Sequence, residues 1–60
     1  MSVVYRWHQW DRVRCLDSDH YGQTGTVTFT VPGNGSNPHA NVDLDNGGEV
    51  LLLEDELEAE

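Results

Sequence analysis

Lysine is absent from this sequence, and Arg6, Arg12 and Arg14 are its only strongly basic residues. All three precede Leu16, where Asp11 is the sole acid. Residues 1–16 therefore carry a net +2 and residues 17–60 a net −10, within a total of −8. Such a chain repels nucleic acid and anionic membrane at long range and is drawn to basic protein surfaces. Cysteine is nearly absent too. Cys15 stands alone, so no disulfide can form within the chain, and a small buried thiol in a reducing compartment is expected. Long apolar runs are missing. The longest, Val50-Leu51-Leu52-Leu53, falls far short of the ~20 residues of a membrane span. Residues 1–10 interrupt their apolar stretch with Arg6 and His8, unlike a signal peptide. A cytoplasmic protein without membrane contact is the expectation.

What is present is period two, the signature of strands. Val13 and Cys15 alternate with Arg12 and Arg14. Val27, Phe29 and Val31 alternate with an outward row of Thr24, Thr26, Thr28 and Thr30. Ala40, Val42 and Leu44 alternate with Asn41, Asp43 and Asp45. Glu49-Val50-Leu51-Leu52 reads as a fourth strand. Leu53 and Leu57, four apart, suit one 3₁₀ turn capping the fold, and the last residues suit a short fifth strand. The turns carry glycine. Gly22 and Gly25 stand where a tight loop needs positive φ, and Asn46-Gly47 predicts a type I′ hairpin. Residues 32–39 read as a long polar hairpin tip. In 60 residues this pattern fits one domain: an all-β, five-stranded SH3-like barrel with a 3₁₀ turn near its C-terminus. Residues 1–10 would be an N-terminal extension or extra strand, and residues 54–60 an acidic tail.

The order of residues resembles a known motif. Trp10-Asp11-Arg12-Val13-Arg14-Cys15-Leu16 followed by Tyr21-Gly22-Gln23-Thr24-Gly25-Thr26-Val27 is similar to the KOW motif. That motif opens Gly-Asp-x-Val-x-Val and turns through Gly-x-x-Gly-x-Val, in SH3-like barrels of NusG-type elongation factors and of a ribosomal protein. The resemblance covers residues 10–58 and implies the barrel. Trp10 stands at the family's glycine, and Asp19 and His20 stand where nucleic-acid-binding members carry lysine. RNA binding is therefore not carried over. Similar small barrels also serve as accessory subunits and as small phage proteins.

Chemistry-bearing residues are sparse. His8, Cys15, His20 and His39 form no tight ligand pair, so no metal site is predicted. Asp43, Asp45, Asn46 and Gly47 lack the other positions of a calcium loop. No cofactor is expected. The carboxylates fall on strand faces and a tail rather than in a cleft, which argues against an enzyme. A binding role is the stronger expectation. Tyr5, Trp7, Trp10 and Tyr21 with Arg6 supply the residue types of interface hot spots. Glu54, Asp55, Glu56 and Glu58 supply charge for a basic partner. Trp10 is assigned to closing the barrel end and Trp7 to anchoring a partner. Three functions follow: a protein-binding accessory subunit or modulator of a transcription- or translation-type assembly; a phage-type acidic inhibitor that mimics nucleic acid; and a weak RNA or DNA binder.

Overall fold

The computed structural model describes residues 5–32 and 38–60. Residues 1–4, which begin the possible extra strand, and residues 33–37, the centre of the expected hairpin tip, lie outside that description. Five antiparallel strands form one sheet: β1 (Arg12–Cys15), β2 (Thr24–Val31), β3 (His39–Leu44), β4 (Glu49–Leu53) and β5 (Leu57–Ala59), with a 3₁₀ turn at Glu54–Glu56. The spatial order is β4-β3-β2-β1-β5. The protein is thus all-β with the expected strand count and turn. The sheet coils around its core without closing, because β4 and β5 remain edges. Residues 5–10 form no strand.

Residues paired across antiparallel strands share a face. One row, Val13–Gly25–Leu44, points inward, as does Val27–Val42–Val50. With Cys15, Ala40, Leu52 and Leu57 these residues make the core. A core this thin reflects chain length, since a 60-residue domain buries only about 60% of its unfolded surface.

Three expectations require correction. The register shifts by one residue between Val27 and Phe29. That bulge turns Phe29 and Val31 to the outer face and Thr30 inward, so the threonine row breaks and Phe29 is 51% exposed. Asn46-Gly47 is not a type I′ turn, which needs positive φ at both central residues. Gly47 and Gly48 hold the positive values, at +100° and +90°, and Asn46 does not. The Gly47 amide donates to Leu44 O and the Leu44 amide to Gly48 O, closing a three-residue loop. Gly22 does take φ +87°, but Gly25 sits in β2 without a positive φ. A Cβ there would stand 2.5 Å from Asp43 O and 2.6 Å from Val42 Cγ1. Close backbone approach, not turn geometry, requires that glycine.

Candidate functional site

The expected aromatic cluster is split by the fold. Trp7 packs against the core. Its indole Nε1–H donates to Glu54 O (3.1 Å), and the Arg6 and Trp7 amides donate to Glu54 Oε2 (2.7 and 3.2 Å). Trp7, rather than Trp10, therefore covers the core, which reverses the assignment made from the sequence. Tyr5 is half-buried. Tyr21 lies on the β1–β2 loop, 73% exposed. That loop is held by Gly22 N–H donating to Cys15 O and by the Asp17–His20 pair at 2.7 Å. Trp10 precedes the other end of β1, and Cys15 is five residues on, about 16 Å along an extended strand.

Trp10 is the anomaly of the molecule. Its amide donates to Val27 O (2.7 Å), while Val27 N–H donates to Asp11 O (2.9 Å). Two residues, Trp10 and Asp11, thus oppose Val27. The Asp11 amide donates to His8 O (3.1 Å), closing a turn, and the His8 amide donates to Asp11 Oδ2 (2.9 Å). This is the geometry of a bulge whose first residue is normally a left-handed glycine. Trp10 takes φ +77° there, the only positive φ on a described residue other than glycine. Bulky residues in this region are rare, and the strain is of order 1–3 kcal/mol. The indole recovers little by packing, since Trp10 is 68% exposed.

Two other large apolar side chains lie in the next row of the sheet. Phe29 pairs with Asn41, which pairs with Leu51. Phe29 and Leu51 are 51% and 50% exposed on the outer face. Asn41 between them is buried, its Nδ2 donating to Thr28 Oγ1 (2.8 Å) and Glu49 Oε1 (2.9 Å). The sequence concealed Phe29 because alternation places it inward; a one-residue bulge leaves no trace in period two.

The acidic segment is tied down rather than free. Glu54 holds residues 6 and 7, Asp55 pairs with Arg6 (3.1 Å), Glu56 Oε1 accepts the Leu53 amide (3.0 Å) and Glu58 pairs with Arg14 (3.1 Å). Arg12 joins four parts of the chain through Asp45, Glu60 and Thr26. Hydrogen bonds from Arg12, then from Thr24, lower the Asp45 carboxyl to about 2. Arg12 likewise holds the Glu60 carboxyl below its usual value. A depressed folded value stabilises above the unfolded one, near 3.9, and that stability fades as pH falls through the folded one. Thermal stability is expected to drop between about pH 4 and 2, with a shallower drop in Asp45→Asn. Parallel pH profiles of Tm would exclude the clamp. Burial, and then Asp17, pushes the Cys15 thiol up, which disfavours the thiolate a nucleophile needs. Among the described residues no group of three or more His, Cys, Asp or Glu is placed to hold a metal ion.

Fold and surface define a small all-β protein with a strained, exposed tryptophan at one bulge. No family model matches the chain, and neither does any curated protein or solved structure.

Proposed function

We propose that this chain is a non-enzymatic acidic protein-binding module, an accessory subunit or modulator that docks on a partner with a basic surface through Trp10. The observation that carries this reading is a tryptophan held at φ +77° and 68% exposed. Strain kept without packing gain marks a position serving something other than stability. Tryptophan is also the residue type most enriched in binding hot spots. Direct nucleic-acid binding is disfavoured, since Arg6, Arg12 and Arg14 each carry a carboxylate partner.

Trp10→Gly tests the reading in two opposed directions. Relief of about 1–3 kcal/mol of strain, less about 0.5–1 for glycine's freer unfolded chain, leaves a gain near 1 kcal/mol. Tm should rise by about 4 °C or more. Wild-type and variant baits are then compared in extracts of the source cell, with bound proteins quantified by mass spectrometry. The partner should be retained by wild type and lost by Trp10→Gly, with affinity for the purified protein weakened about 30-fold. Equal retention by a folded variant, or no specific retention by either, overturns the proposal.

A further inference from the structure

We infer that the free edge of β4 accepts an extended segment of a basic partner as a sixth strand, reading an apolar residue and a Lys or Arg two positions apart. The register decides which backbone groups are available. Leu44 bonds Gly48, and Glu54 N–H donates to Pro38 O. In this antiparallel ladder Val42–Val50 and Ala40–Leu52 are then the hydrogen-bonded pairs, and Asp43–Glu49, Asn41–Leu51 and His39–Leu53 the others. The N–H and C=O of Glu49 and Leu51 therefore point away from β3. Nothing among the described residues bonds them. The Leu53 amide, by contrast, is taken by Glu56 Oε1. An edge with unpaired groups is a template for a further strand, and natural sheets usually guard it with lysine or proline. β4 has neither.

The side chains select the occupant. Asp43 and Glu49 are direct cross-strand partners in a non-hydrogen-bonded pair, the closer kind. Like charges so placed are destabilising. The cation of the same row, Arg12, is committed to Asp45 and Glu60, and among the described residues Glu49 receives only the neutral amide of Asn41. One Lys or Arg opposite Glu49 relieves this repulsion. Two residues along, Leu51 and its row-mate Phe29 present exposed apolar surface on the same face. A second copy of this chain does not fit, because each carries −8 and, among the described residues, every arginine already has a carboxylate partner.

The test is selection of a displayed library of random nine-residue peptides against the intact protein. Selected peptides should carry an apolar residue and Lys or Arg at positions i and i+2. In ¹H–¹⁵N spectra they should shift the Glu49 and Leu51 amides and slow their exchange with solvent. Affinity should fall at least tenfold between 20 and 300 mM salt, values chosen to span a Debye length of roughly 20 down to 6 Å. Leu51→Pro removes an outward N–H and no ladder bond, so the fold should persist and binding vanish. Glu49→Lys, which keeps the edge, should lose the basic preference at that position. No binders, peptides without the spacing, shifts elsewhere in the sheet, or unchanged binding by Glu49→Lys would each overturn the inference. Because these peptides need not touch Trp10, Trp10→Gly should bind them normally. The two proposals can therefore fail separately.

Discussion

Gly25→Val is expected to remove about 3 kcal/mol, a large share of the protein's stability. A β-carbon at this position meets Asp43 O at 2.5 Å and Val42 Cγ1 at 2.6 Å. The nearer obstacle is a backbone oxygen within the β2–β3 ladder, where Thr26 pairs with Asp43, so it cannot swing aside as a side-chain tip would. Overpacking of this kind costs about 1–3 kcal/mol, and the two further methyl groups of valine place it at the upper end. A 60-residue domain has only about 3–9 kcal/mol in total. Gly25→Ala should already lower the urea midpoint clearly, and valine more so. Gly22→Ala supplies the contrast. Gly22 has φ +87° with nothing within 4 Å of a Cβ, so its cost is backbone strain alone, about 1 kcal/mol. A midpoint unchanged in Gly25→Ala would mean that the two strands do not approach as described.

Trp7→Ala should be similarly damaging. Trp7 lies against the core and is bonded to Glu54 twice, through its amide and its indole, while the Arg6 amide before it bonds the same carboxylate. Truncation removes a large apolar cover and leaves the Glu54 carbonyl without its donor. Large-to-small changes of an aromatic cost about 3–5 kcal/mol when fully buried. For a half-buried ring about 3 kcal/mol is expected, which lowers Tm by roughly 12 °C or more. Trp7→Phe keeps most of the cover and loses one hydrogen bond, about 1 kcal/mol. A Tm in Trp7→Ala close to wild type would return Trp7 to the role of partner anchor, the role expected from sequence.

The packing of Trp7 and Trp10 and the reason for Gly25 were not legible in the sequence, for one reason. Residue type reveals that Trp7, Trp10 and Gly25 are special positions, but not which tertiary neighbour makes them so. Trp7 and Glu54 are 47 positions apart. Gly25 and Asp43 meet only because β2 and β3 pair. The acidic segment likewise looked like a solvated tail because Arg6, Arg12 and Arg14 are remote from it in the chain, yet strand pairing sets Arg14 beside Glu58 and Cys15 beside Leu57.

By itself the sequence determined the fold class, the strand count, the 3₁₀ turn before the last strand and most of the core. Those properties follow from local alternation, which needs no partner to be legible, and from turn residues whose φ preferences are intrinsic. Tertiary structure alone decided the bulge that turns Phe29 outward, the left-handed backbone of Trp10, the pairing of arginines with carboxylates and the place of β4 at the end of the strand order. Each depends on which strand lies beside which, and in what register. A one-residue shift between two strands exchanges inside for outside without altering a single residue.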